Sequence, residues 1–189
     1  MLMKFVPRPL LWLLAMLVLL IGGNCGRAMQ RHFDRQITTT IYIVRHAEKD
    51  LTPNLPDPLL TPAGQQRALA LHDTLMRRRP LSAIFSTATT RTRATAEPLA
   101  QALSLPIQSY DAKQLPALVA RIRRDYAGQK VLIVGHSNTI LETVQAFGAA
   151  RPVPTIGDNE YDYLLEVRMA KDSTRVPTAV ARRYGQPSR

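Results

Sequence analysis

The 189-residue chain holds a single cysteine, Cys25. One cysteine excludes a disulfide framework within the monomer and any thiolate zinc cage. The histidines His32, His46, His72 and His136 are scattered along the sequence. Aromatic residues are sparse, at 6%, and no nucleic-acid motif accompanies them, so the chain has little to stack on bases. Acidic residues are also few: 14 Asp and Glu stand against 25 Lys and Arg, for a net charge of +11. That excess asks for an anionic partner, whether nucleic acid, a membrane surface or a phosphorylated substrate. Repeats and low-complexity tracts are absent. Apolar side chains are present in ordinary amount, at 46%. This excludes global disorder, and the length suffices for one domain with its own core.

Part of the apolar content is not core. Leu10 to Ile21 is an unbroken apolar run, preceded by Lys4 and Arg8 and no acid. Gly22, Gly23, Asn24, Cys25, Gly26, Arg27 and Ala28 follow it. A basic start, a short apolar run and then small residues is the pattern of a secretory signal. The run is shorter than the ~20 residues of a spanning helix. The expectation is an exported, periplasmic protein, with residues 1–28 as a cleaved signal. Counted from residue 5 through the glycines at 23, the same segment reads as an uncleaved membrane anchor. Cys25 stands where a lipoprotein cysteine would, although Gly22-Gly23-Asn24 is a poor lipobox. Lys4, Arg8 and Arg27 take three charges from the total of +11, which leaves +8 beyond residue 28.

Residues 29–39 are polar and lack periodicity, as in a linker, and a domain is expected over 40–185. Thr40 to Val44 is β-branched and aromatic with no polar interior, as in a buried parallel strand. Prolines at 53, 56, 58 and 62 mark a loop that ends at Thr61, a good N-cap with Pro62 at the first helical position. Ala68, Leu69, Leu71, Leu75 and Met76 then recur at helical spacing up to Arg79. Further strands are expected at 81–85, near Ile107, at 130–134, 163–169 and 176–182. Further helices are expected at 90–102, 116–126 and 138–147. Alternating strands and helices over one core predict a three-layer α/β/α sandwich with a mainly parallel central sheet.

Ligands of such sheets bind beyond the carboxyl ends of the strands. The residues in those places are Arg45-His46-Ala47-Glu48 after the first strand, Ser86-Thr87 and then Arg91 after the second, and Gly135-His136-Ser137-Asn138 after the 130–134 strand. If the strands are neighbours, two histidines and two arginines face one crevice. Two guanidiniums supply forked donors for phosphoryl oxygens. An imidazole among them is kept neutral and nucleophilic by the positive surroundings. A second imidazole can donate as charge builds on the phosphoryl oxygens.

The quoted segments resemble the histidine phosphatase superfamily, with its phosphoglycerate-mutase-like fold. Val44-Arg45-His46-Ala47-Glu48 resembles the family's R-H-G/A-E signature. Leu60-Thr61-Pro62-Ala63-Gly64, with Ala68 after it, resembles its L-T-x-x-G-x-x-x-A segment. Ser86-Thr87 through Arg91 to Thr95-Ala96-Glu97 resembles its S-S/T-P-x-x-R-x-x-x-T-A-E segment, and Val134 to Thr139 its second-histidine segment. The four blocks stand in family order, and the stretch from Asp158 to Asp162 is similar to small bacterial members.

The resemblance implies that His46 is the nucleophile that becomes a phosphohistidine. Arg45 and Arg91 would clamp the phosphoryl oxygens, His136 would stabilise the transition state, and water would then release phosphate. It implies no metal and no other cofactor. Family spacing favours Arg91 over Arg93. The general acid is left open. Some members use a Glu beyond the arginine segment, and others an Asp where this chain has Ser137. Glu48 and Glu160 are the candidates for an acid or pocket residue, and Glu97 is read as structural. Asn138, at a helix start, is a candidate cap and substrate contact. The expected activity is metal-independent hydrolysis of a small phosphomonoester or phosphoramidate, with no nucleic-acid partner. The alternatives are a silent phosphoester-binding pseudo-phosphatase and a binder of anionic surfaces or nucleic acid.

Overall fold

The computed structural model describes residues 38–78, 80–170 and 175–188. The expected signal or anchor over 1–28, including Cys25, and the linker up to residue 37 lie outside the described residues. Six strands form one sheet: β1 (Thr38–Arg45), β2 (Ala83–Ser86), β3 (Ile107–Ser109), β4 (Lys130–Gly135), β5 (Tyr163–Ala170) and β6 (Thr178–Arg183). Their order is β3-β2-β4-β1-β5-β6. β3, β2, β4 and β1 pair in parallel, while β5 is antiparallel to both β1 and β6. Among the described residues four helices accompany the sheet: α1 (Pro62–Met76), α2 (Thr90–Leu103), α3 (Leu115–Asp125) and α4 (Ile140–Ala146). Among the described residues no helix is long and apolar enough to cross a membrane.

The unalternated apolar strands are explained by burial on both faces. Ile41, Ile43, Phe85, Val131 and Ile133 pack against Leu118 and Ile122 of α3 and Ile140, Val144 and Phe147 near α4. On the opposite face Tyr42, Val44, Ile84, Leu132 and Val134 pack against Leu71 and Leu75 of α1 and Leu99 of α2. The result is the expected three-layer sandwich, with the sheet parallel except at β5 and β6.

Several boundaries differ from the sequence expectation. β1 starts at Thr38, inside the expected linker. At the other end Arg67 donates to the backbone oxygens of Tyr184 and Gln186, and Ser188 bonds Asp162, so the tail stays attached beyond residue 185. The last helix begins at Ile140 rather than Asn138. The Thr139 hydroxyl accepts from the His136 amide at 3.1 Å, which keeps residues 136–139 in a turn. Thr139 is therefore the residue before the helix, and Asn138 does not cap it. α1 starts as expected: Thr61 caps it by accepting from the Gly64 amide. Gly64 is required here because an added Cβ would lie 2.1 Å from the Glu48 carbonyl oxygen. That contact fits α1 tightly under the loop after His46.

Candidate active site

Strand register brings the two histidines together. Arg45 of β1 is paired with Gly135 of β4, and the His46 amide donates to the Gly135 carbonyl at 2.9 Å. His46 and His136 therefore leave adjacent strand ends side by side, with ring centroids 5.5 Å apart and edges turned toward faces. Gly135 leaves room for the side chains packed on this strand end: a Cβ there would stand 2.9 Å from the Tyr110 hydroxyl and 3.3 Å from the Thr139 hydroxyl. β2 pairs with β4 on its other side, Ser86 beside Val134. This carries Thr87 to the same end of the sheet, and the N-terminal turn of α2 brings Arg91 to it.

A cavity of about 600 Å³ is lined by Arg45, His46, Arg91, His136 and Asn138, together with Lys49, Ser137, Asp158 and Tyr161. His46 is buried, and its Nδ1 lies 2.8 Å from the Ala47 carbonyl oxygen. A carbonyl accepts only, so Nδ1 carries the proton, and Nε2 is left with a lone pair. Burial is the main force holding His46 well below the ordinary histidine range, at about 3. The Ala47 bond opposes this, and Arg45, Arg91 and His136 push the same way as burial. The ring is thus neutral at physiological pH.

His136 is lowered by burial and then by Arg91 and Arg45. Its Nε2 is 3.0 Å from the Thr87 hydroxyl. That hydroxyl donates to Thr92 Oγ1 at 3.0 Å, and Thr92 in turn bonds the carbonyls of Thr87 and Thr89. With the Thr87 proton directed to Thr92, Thr87 accepts from His136, which places a proton on His136 Nε2 and leaves Nδ1 as the second polar atom.

The arginines are held by partners that leave donors spare. One nitrogen of Arg45, Nη1, donates to the carbonyls of Gly157, Asp158 and Glu160 at 3.1, 2.8 and 3.3 Å. Its guanidinium carbon lies 4.0 Å from the centre of the Tyr161 ring. Burial is the largest influence on Arg45 and lowers its pKa. Arg91 Nη1 is 3.3 Å from Asp57, which also accepts from the Thr90 amide at the start of α2. The Nε atoms of both Arg45 and Arg91 are buried and have no hydrogen-bond partner. An unpartnered buried donor costs roughly 1–3 kcal/mol, and the two cations that carry these donors line one cavity, an arrangement suited to an anion.

The two carboxylates expected near the chemistry are engaged elsewhere. Glu48 is ion-paired with Arg67 at 2.6 Å and also accepts from Arg67 Nε at both oxygens. It lines the neighbouring groove, not the cavity of the histidines. Glu160 accepts from the Gly157 amide and from Arg183, and these bonds hold its carboxyl below the usual range. Neither lines the cavity. Asp158 is the carboxylate that does, among the described residues. The sequence assigns no site role to Asp158, Lys49, Tyr161, Thr87 or Asp57, although Thr87 and Asp158 fall within quoted segments. Lys49 and Thr87 sat inside or beside recognised motifs. Asp57 has no local signal, because its contact with Arg91 spans 34 residues.

Two forked cations, a neutral imidazole and a second imidazole stand together at the ends of parallel strands of an α/β fold, a set whose chemistry suits a phosphoryl group. The histidine phosphatase superfamily (branch 1) matches residues 41–114, a span that begins in β1 and includes His46 and Arg91. Over that span the chain is similar to that superfamily. Its fold is similar to SixA of Nakamurella multipartitia (21% identity, TM-score 0.51, covering 79% of this chain and 96% of that one). It is also similar to the protein histidine phosphatase SixA complexed with tungstate (16%, 0.56, 79% and 96%). A third similar structure is the mycobacterial glucosyl-3-phosphoglycerate phosphatase (15%, 0.57, 80% and 100%). No curated protein matches the chain by sequence.

Proposed function

We propose that the protein is a phosphatase that hydrolyses a phosphomonoester or phosphoramidate through a phosphohistidine on His46. The observation that carries this reading is the convergence of Arg45, Arg91 and His136 on one cavity with His46, whose Nδ1 is held on the Ala47 carbonyl so that Nε2 keeps its lone pair. The guanidiniums grip the non-bridging oxygens of the phosphoryl group. His46 Nε2 attacks phosphorus as the bond to the leaving group breaks, and Nδ1–H stays on the Ala47 carbonyl, where it stabilises the cationic ring that forms. A phosphoryl dianion opposes the effect of burial on His136, which takes up a proton and donates from Nδ1 to the charge building on oxygen. Water then attacks the phosphohistidine and frees orthophosphate.

Among the described residues the cavity offers Asp158 as the carboxylate within it. A leaving group of low pKa needs little protonation, so an aryl phosphate is the suitable assay substrate. Hydrolysis of p-nitrophenyl phosphate is expected to resist EDTA and to be inhibited by vanadate. His46→Ala is expected to lower kcat/KM by at least about 10⁴-fold. Turnover that survives this substitution refutes the nucleophile. A protein that binds vanadate without turning over any phosphoester refutes hydrolysis and leaves a phosphoester-binding role. Export and membrane attachment through residues 5–23 belong to the same proposal, and fractionation of cells expressing the full chain tests them.

A further inference from the structure

The segment after β6 has no regular structure, and residues 185–187 are exposed. It is nevertheless bonded to both sides of the phosphate pocket. On one side Arg67 of α1 donates to the carbonyls of Tyr184 and Gln186 at 3.3 and 3.0 Å, and the same guanidinium holds Glu48, two residues after His46. On the other side Ser188 reaches the loop before β5. Its Oγ accepts from the amides of Tyr161 and Asp162 at 2.8 and 3.1 Å and donates to Asp162 Oδ1 at 3.0 Å. A hydroxyl has one proton and two lone pairs, so this one is fully used. Without it, two consecutive amides lose their acceptor.

The loop that Ser188 holds is the one that holds Arg45. Gly157, Asp158 and Glu160 turn three carbonyls toward Arg45 Nη1, and the Tyr161 ring centre lies 4.0 Å from the guanidinium carbon. The loop is closed on itself. The Glu160 amide donates to the Gly157 carbonyl at 3.0 Å, and the Glu160 carboxylate accepts from the Gly157 amide at 2.8 Å. It is therefore one rigid unit, placed from its far end. Arg183 bonds Glu160 and Asp162 there, but this arginine is 48% exposed and grips only carboxylates, a contact that solvent weakens. Ser188 grips the main chain itself. With Nη1 committed to carbonyls and one face of the plane against Tyr161, Arg45 presents the edge formed by Nε and Nη2 to a ligand.

We propose that Ser188 is a positioning residue of the phosphate site: through the 157–162 loop it aims the Nε–Nη2 edge of Arg45 at the phosphoryl group. The inference rests on the phosphatase reading only for placing a phosphoryl group beside Arg45. The segment 184–188 thereby sets the arginine's loop and, through Arg67, the loop after His46 in fixed relation to each other. A hydroxyl that only tied down the chain would sustain the melting temperature and leave anion affinity alone.

Titration calorimetry with tungstate, a tetrahedral oxyanion, separates the two roles. It compares the full chain with Ser188→Ala and Ser188→Thr, and Arg45→Lys with Arg45→Lys/Ser188→Ala. Ser188→Ala is expected to weaken tungstate about fivefold, the effect of one misaligned hydrogen bond. Ser188→Thr keeps the hydroxyl and is expected to stay within about twofold of the wild type. In the Arg45→Lys chain, Ser188→Ala is expected to cost less than about twofold, because the residue it acts through has gone. Equal affinities of the wild type and Ser188→Ala overturn the proposal, also where the variant melts lower. So does a threonine variant as weak as the alanine one, or an undiminished loss in the Arg45→Lys chain. Binding needs no turnover. A protein that shows the expected pattern and hydrolyses no phosphoester refutes the phosphatase reading and keeps the role of Ser188, whereas one that binds no tungstate overturns both.

Discussion

The phosphate pocket and the β5–β6 face both collect arginines, and they treat them in opposite ways. On β5, Glu166 is 2% exposed and takes Arg78, Arg168 and Arg182 at 3.0, 2.6 and 3.1 Å. Burial pushes its carboxyl up, but the bonds from Arg168 and Arg182 prevail and hold it below the usual range. Three cations there share one acid, and their charge is spent within the fold. In the pocket, Arg45 meets only carbonyls, Arg91 meets Asp57 at 3.3 Å, and each keeps a buried donor unused. Arginine number therefore does not distinguish a scaffold from a site. Burial without an acid at full contact does: Arg45 and Arg91 are 5% and 17% exposed, against 31%, 58% and 48% for Arg78, Arg168 and Arg182, whose remaining donors reach water.

Substitution should separate the two regions. Arg91→Ala removes donors aimed at the phosphoryl group, so kcat/KM on p-nitrophenyl phosphate is expected to fall about 10²–10³-fold. Arg168→Ala, on the other face, should stay within about twofold in the same assay. If both behave alike, the distinction collapses. Next in size, Glu166→Gln removes the shared acid and leaves three cations together. A loss of roughly 2–3 kcal/mol in urea unfolding is expected, with kcat/KM nearly unchanged.

The third effect is on pH. His46 has a folded pKa of about 3 against an ordinary 6.5. Between those values the unfolded state binds the extra proton, so acidification stabilises the unfolded chain, and stability is expected to decline as pH falls from about 6.5 toward 3. His46→Asn should flatten that part of the stability profile, whereas Arg168→Ala should leave it in place. The smallest effect is expected for Asp57→Asn. It keeps an acceptor for the Thr90 amide but removes the charge beside Arg91, so vanadate inhibition should change by only about two- to fivefold. An Asp57→Asn effect as large as that of Arg91→Ala would show that the carboxylate does more than steady its neighbour.

Much of the architecture could be read from the chain because burial on both faces leaves a plain mark. The apolar runs 40–44 and 130–134 are strands that no alternation interrupts, and Thr61-Pro62 starts α1 as its chemistry requires. The crevice could also be read, since Arg45, His46 and His136 follow directly on such runs. Pairings created only by tertiary contact were not legible. Glu48 stands two residues from His46, yet Arg67 on α1 takes its carboxylate sideways. Glu160 is drawn off by Arg183, while its neighbour Asp158 lines the cavity. Asn138 missed the helix start because the Thr139 hydroxyl, not its own side chain, satisfies the turn after His136.

The pairing of Arg45 with Gly135 joins positions ninety residues apart in the chain. Neither strand alone holds more than half of the histidine pair, so the site exists only once that parallel, non-local contact has closed. Long-range parallel pairing is among the slower events of folding, because the intervening loop must be closed before any contact rewards it. During refolding from denaturant, compaction and helix signal should therefore recover ahead of phosphatase activity, and the enzymatic signal should report the arrival of β4 beside β1.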